Sequence, residues 1–339
     1  VRRLSWLAVA GLIACGESGS DASGTGGTTA TGGSATGGTT ATGGSATGGV
    51  STGGSATGGV STGGTDAGTP ERVWGMTVDA IDPLPDIVES LSQLPVRPTT
   101  RIVFDEFVPA TDYADATKQI HAVSDVMGEI LDSFYVSQYS VSEYTARTTE
   151  YLGLLSNDVD VWEIGNEVNG EWLCAQNASS CTAQQTKDVV AKIQGAHDLV
   201  VQKGGKTALT LYYNEDCWSA PENEMFTWAE TNLPATLRQS LDWVLVSYYE
   251  DDCNGLQPDW EAVFAKLAQD FPNSKLGIGE CGTTKAASKA EYVTRYYTMS
   301  VSQPRFVGGF FWWYYRQDMV PYTKALHATL SAAITSQLP

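Results

Sequence analysis

The sequence predicts one α/β domain between residues 70 and 339, a closed barrel of eight parallel strands, each followed by a helix. Three observations carry that expectation. Strand-like and helix-like stretches alternate eight times. The strand runs at 159–167, 243–249 and 307–315 are almost continuously apolar, as parallel strands covered on both faces are. The stretch also has about the usual length of such a barrel, roughly 250 residues. An open doubly wound sheet fits less well, because none of the eight units carries a Gly-rich phosphate turn.

Each element has a local signal. Strand one reads as 73–80, and a helix flanked by prolines follows at 84–94. Strand two is 101–107 with a helix at 113–127, and strand three is 130–136 with a helix at 142–155. Strand four, 159–167, ends on Glu167. Beyond a polar loop between Cys174 and Cys181 a helix spans 183–202 and stops at Gly204-Gly205, glycine being the residue best able to end a helix in the left-handed region. Strand five is 207–213 with a short helix at 223–231, and strand six is 243–249 with a helix at 260–270. Strand seven, 276–280, ends on Glu280 and precedes a helix at 286–301. Strand eight, 307–315, precedes the last helix at 322–336. This is the (β/α)8 TIM arrangement, in which the carboxyl ends of the strands carry the chemistry.

The first fifth of the chain cannot join that core. Arg2-Arg3 precede an apolar run, 4–14, that is too short for the ~20 residues a bilayer requires but suits a signal-peptide core. The run ends Leu12-Ile13-Ala14-Cys15, similar to a bacterial lipobox, a resemblance that makes Cys15 the lipidated first residue of the mature chain and residues 1–15 a lipoprotein signal peptide. From 16 to 69 a Thr-Gly-Gly unit recurs with almost no large side chains. It should be a flexible linker with an r.m.s. reach of about 40 Å. The expected location is therefore outside the cytoplasm, anchored to the cell envelope by lipid alone or secreted.

Of the 39 acidic and 20 basic residues, three acids and two bases precede residue 70, leaving 36 against 18 in the barrel. Such a field repels phosphate backbones, so nucleic acid is not an expected partner. Export permits disulfides. Cys174 with Cys181 is the expected local pair, Cys217 and Cys253 follow strands five and six and can staple neighbouring loops, and Cys281 is left over. The three histidines, His121, His197 and His327, fall in helices, which disfavours a histidine triad or metal site. The loop acids show no spaced calcium pattern, so neither metal nor cofactor is expected.

Glu167 and Glu280 each close a buried strand, and a carboxylate carried out of a core must be neutralised, paired or used. Strands four and seven face one another across the mouth of an eight-stranded barrel, so the two side chains can meet over one saccharide. Two carboxyls can supply the proton and the negative group that acetal hydrolysis needs.

With Asn166-Glu167 on strand four and Gly279-Glu280 on strand seven, the chain resembles the retaining glycoside hydrolases of clan A over the entire barrel. The resemblance implies Glu167 as acid/base and Glu280 as nucleophile. It also implies Asn166 as a contact for the sugar 2-hydroxyl, Arg101 as support for the nucleophile, Tyr249 as the strand-six tyrosine and Trp312 as the floor of the cleft. Val168 and Ser247 depart from the family pattern, Ser247 standing where a histidine that contacts sugar is frequent. Glu167 should hold its proton through burial and its negative partner, while Glu280 stays ionised beside Arg101. The expected activity is endo-hydrolysis of a β-glucan or β-mannan type polysaccharide by a monomer. A barrel that only binds carbohydrate is the alternative.

Overall fold

The structure is a computed structural model and describes residues 72–339, apart from 175–180, 216 and 219. The expected signal peptide with Cys15 and the expected linker lie outside the described residues.

Eight parallel strands close a barrel in chain order: β1 (Val73–Val78), β2 (Thr99–Val103), β3 (Asp125–Glu129), β4 (Val161–Gly165), β5 (Lys206–Tyr212), β6 (Trp243–Tyr248), β7 (Lys275–Cys281) and β8 (Phe306–Trp312), with β8 pairing back to β1. Between and after them run α1 (Leu84–Ser92), α2 (Ala114–His121), α3 (Val141–Leu155), α4 (Ala183–Gln202), α5 (Met225–Asn232), α6 (Ala235–Ser240), α7 (Trp260–Asp270), α8 (Lys289–Tyr297), α9 (Tyr315–Met319) and α10 (Ala325–Thr335). The two long helices start on capping boxes, Ser140 with Glu143 for α3 and Thr182 with Gln185 for α4, each satisfying otherwise unpaired donors at the helix end.

Alternation along the strands sorts side chains into two cores. Val73, Met127, Val161, Ala208, Trp243, Leu245, Val307 and Phe311 fill the barrel interior. The opposite parity, including Ile102, Val126, Trp162, Ile164, Val244 and Ile278, packs outward beneath the helices. Both faces are apolar, which is why these strands read as continuous hydrophobic runs.

Several boundaries differ from expectation. Strand three is Asp125–Glu129, overlapping the last three residues of the expected helix 113–127, and the expected strand 130–136 instead leads into a 3-10 helix, Ser133–Gln138. The reason is tertiary. Asp125-Val126-Met127-Gly128-Glu129 carries a charge at each end and looks helical, yet it pairs residue for residue with β2 and buries Glu129 against Arg101. Strand two ends at Val103, four residues early, and Phe107 beyond it has a φ of 58°. One expected helix before β6 is two, α5 and α6, and the final segment is divided between α9 and α10. Both expected disulfides are present, Cys174–Cys181 and Cys217–Cys253, and Cys281 is free and buried.

Candidate active site

Arg101 is the centre of the site. Its position on β2 points it into the barrel, where it is fully buried. Nε donates to Glu163 Oε2 at 2.6 Å, Nη2 to Glu163 Oε1 at 3.2 Å and Nη1 to Glu280 Oε2 at 2.7 Å. Glu129 Oε2 lies 3.0 Å from Nη2, close enough for an ion pair, but neither Glu129 oxygen receives an aligned hydrogen bond. Burial drives the Glu129 carboxyl well above the usual carboxylate range, and the charge of Glu163 adds to that. Thr210 Oγ1 donates to Glu163 Oε1 at 2.5 Å, so Glu163 is the fully satisfied partner that fixes the guanidinium in its plane.

Glu280 reaches the mouth through a register break. Leu276 and Ile278 on β7 belong to the outer core, and strict alternation would send Glu280 the same way. Between β6 and β7 the pairing steps from Val246 with Ile278 to Ser247 with Glu280, skipping Gly279. The extra residue re-aims the following side chain. Only glycine fits at the break, because a Cβ on Gly279 would lie 2.6 Å from Leu245 Cβ. Glu280 is then met by Arg101, by the Tyr249 hydroxyl, which donates to Oε1 at 2.5 Å, and at longer range by Asn166 Nδ2, 3.5 Å from Oε2. Asn166 is itself oriented by the Ser133 backbone N–H, which donates to its Oδ1 at 3.0 Å.

Glu167 follows β4 with a φ of 45°, a backbone conformation that non-glycine residues seldom occupy and that concentrates at functional sites. Ser247 Oγ donates to its Oε1 at 2.6 Å, and Ser133 Oγ lies 3.2 Å from its Oε2 while accepting from Trp172 Nε1 at 3.0 Å. Burial pushes the Glu167 carboxyl well above its ordinary value, and the facing charge of Glu280 pushes it further. Asp132, half-buried beside them, is pushed up to about 6, by burial first and by Glu280 among its neighbouring charges.

The structure brings together Glu167, Glu280, Asn166, Arg101 and Tyr249. It places Trp312 elsewhere. Trp312 is fully buried in the outer core, and its indole N–H donates to Asp318 Oδ2 at 3.1 Å. Its neighbour Trp313 has the opposite parity, is half-buried, and lies over the Arg101 guanidinium at 5.5 Å. Ser247, which the resemblance marks as a missing sugar contact, binds the carboxyl of Glu167 instead.

Sequence reasoning missed Glu129, Glu163, Asp132 and Ser133. Strand parity carried a signal for one of them: Glu163 stands between outward-packed Trp162 and Ile164, so it must face inward and needs a cation there.

The loop acids that could suggest a metal are engaged locally: Asp105 with Tyr113, Glu250 with Arg295, Asp251 with Thr283 and Lys285. No cluster among the described residues is arranged to hold a metal ion. His197 bonds Ser240 and His327 bonds the Ser90 carbonyl, both away from the mouth. A cavity of about 650 Å³ lies between residues 137–142 and α4, and none of the carboxylates described above lines it.

No protein-family model matches the chain, and no curated protein matches it. Solved structures do. A β-glucosidase in its apo form aligns at 13% identity with a TM-score of 0.51, over 75% of this chain and 87% of that one. Gas2p of Saccharomyces cerevisiae in complex with laminaritriose and laminaritetraose aligns at 12% identity with a TM-score of 0.51, over 80% of this chain and 66% of that one. At such identities the likeness is one of fold.

Proposed function

We propose that the chain is a retaining glycoside hydrolase that cuts internal bonds of a β-linked polysaccharide of glucan or mannan type. One observation carries the reading. Glu280, held by Arg101 and Tyr249, opens onto the same mouth as Glu167, whose proton is retained by burial and by the charge of Glu280 itself. A carboxyl that keeps its proton, facing a second one held against an arginine and a tyrosine hydroxyl, is what acid-assisted nucleophilic displacement requires. The barrel likeness to a β-glucosidase and to a protein solved with laminari-oligosaccharides is in keeping with it.

The residues then act as follows. Glu280 attacks the anomeric carbon while Glu167 passes its proton to the departing glycosidic oxygen, so the C–O bond breaks and an ester to Glu280 forms. Glu167, now a carboxylate, takes a proton from water as the water oxygen attacks the same carbon. The ester breaks, and both residues return to their starting states. Two inversions leave the configuration unchanged. Asn166 is placed to meet the 2-hydroxyl, and we assign the floor of the cleft to Trp313 rather than Trp312. No cofactor takes part.

The test is reducing-sugar release over a panel of β-glucans, β-mannans and xylan, with the anomer of the first product read by NMR. Glu280→Gln should fold with its melting temperature kept and lose about 10⁴-fold in kcat, the scale of removing a covalent nucleophile. Unchanged turnover in that variant, or an inverted product, would sink the assignment.

We also propose that the barrel is held at the envelope through Cys15, on the strength of the lipobox resemblance. Palmitate labelling that persists in Cys15→Ser would refute the anchor.

A further inference from the structure

Phe107, on the loop after β2, is an aromatic displayed to solvent by a loop too well held for the display to be accidental. It is 67% exposed and has a φ of 58°, a backbone region that a bulky residue leaves unless something keeps it there. Four side chains keep it there. The Phe107 N–H donates to the Tyr139 hydroxyl at 2.7 Å. Arg147 donates to the carbonyls of Phe104 at 3.0 Å, Asp105 at 2.8 Å and Val108 at 3.2 Å. Tyr113 accepts from the Asp105 N–H at 2.8 Å, and Tyr151 donates to the Val108 carbonyl at 2.9 Å. The Phe107 ring lies nearly parallel to Tyr139, 5.0 Å away at 12°, so one face is backed and the orientation of the ring is fixed.

The loop is continuous with the catalytic mouth. Arg101, which supports Glu280, is only six residues before Phe107. The loops after β2 and β3 rise from the same end of the barrel: Asp132, after β3, feels the charge of Glu280 and influences Glu167, and Tyr135 beside it feels Glu106 and Asp132. A chain leaving the two glutamates over the loop after β2 would meet the flat apolar face of Phe107 there.

We infer that Phe107 is a stacking platform for a pyranose ring of an extended, neutral β-linked glycan, at least one ring removed from the bond that is cut. The inference rests on the hydrolase reading and adds a distal subsite to it. A pyranose with equatorial substituents presents a face of C–H bonds to an aromatic ring while its hydroxyls remain free for neighbouring polar groups. Exposed Asp105 and half-buried Glu106 immediately precede Phe107 in the chain. They can accept from sugar hydroxyls and would repel a uronic-acid chain.

The experiment compares kcat/KM on an oligosaccharide series from dimer to hexamer, for β-1,3- and β-1,4-linked glucose, mannose and xylose, in the wild type, Phe107→Leu and Phe107→Trp. Leucine keeps apolar cover on Tyr139 and removes the flat face; tryptophan keeps the face. The hexamer-to-dimer ratio should fall about tenfold in Phe107→Leu, mainly through KM, and return in Phe107→Trp. A ratio equal to the wild type in Phe107→Leu would overturn the platform while leaving the hydrolase intact. If the wild type cleaves none of these sugars, the hydrolase reading fails instead. Calorimetric binding of the same hexamers then decides the platform: equal affinity in wild type and Phe107→Leu, or no binding by either, overturns it.

Discussion

Ser247 donates to Glu167 at 2.6 Å, and that bond favours the ionised form while burial and Glu280 favour the neutral one. Removing it in Ser247→Ala should therefore move the basic limb of the kcat/KM profile to higher pH. It should also lower the rate roughly tenfold, the size of one hydrogen bond to a charged group at about 1.5 kcal/mol. Asp132 has the opposite sign: its charge raises Glu167, so Asp132→Asn should move the same limb to lower pH. A pair of pH–rate curves checks both, and shifts in the same direction would contradict this account. Part of the site at this scale could be read from strand-end motifs, because Asn166-Glu167, Tyr249 and Glu280 lie where a barrel must display them, whereas Arg101, in the middle of β2, was implied by the family resemblance alone. Ser133 and Glu129 could not, since their roles depend on contacts across 34 and 28 positions of sequence that no local pattern records.

The elements owe their functional aim to small departures from regularity. The break at Gly279 turns Glu280 inward, and β8 carries Gly308 and Gly309 at φ near 90° before Phe310 at 60°. Gly279→Ala should cost about 1–3 kcal/mol, as overpacking does, because Leu245 backs the added methyl. Chemical denaturation would measure that loss, and a fall in kcat beyond the share unfolded would show Glu280 displaced. An alanine variant with unchanged stability and rate would mean the break is not needed. Irregularity also explains which elements could be read in advance. Strands four, six and seven were legible because apolar runs and their terminal residues mark them. Strand three was not, because its middle is only Val126-Met127-Gly128 and its last residue is a glutamate that Arg101 makes tolerable. Its neighbour Ile130-Leu131 is more apolar and drew the reading forward.

Across the molecule, several acids bind protons more tightly folded than unfolded. Glu129, Glu167 and Asp132 are all raised, each through burial first. Unfolded, they release their protons near pH 4, so their effect on stability is neutral below that, grows unfavourable as pH climbs from there toward each raised value, and is complete above it. Asp132, at about 6, falls within that window. The melting temperature should therefore be highest in mild acid and decline toward pH 8, and Glu167→Gln should flatten the decline. Scanning calorimetry at pH 5 and 8 checks this; an equal slope in both proteins would remove Glu167 as a contributor. The covalent links are distributed just as unevenly. Cys174 and Cys181 follow β4, Cys217 follows β5 and Cys253 follows β6, so every sulfur bond among the described residues lies on the side where the glutamates open. In a reducing medium the staves of the barrel would keep their hydrogen bonds while that rim slackened, so whatever the mouth selects would blur before the barrel lost its shape.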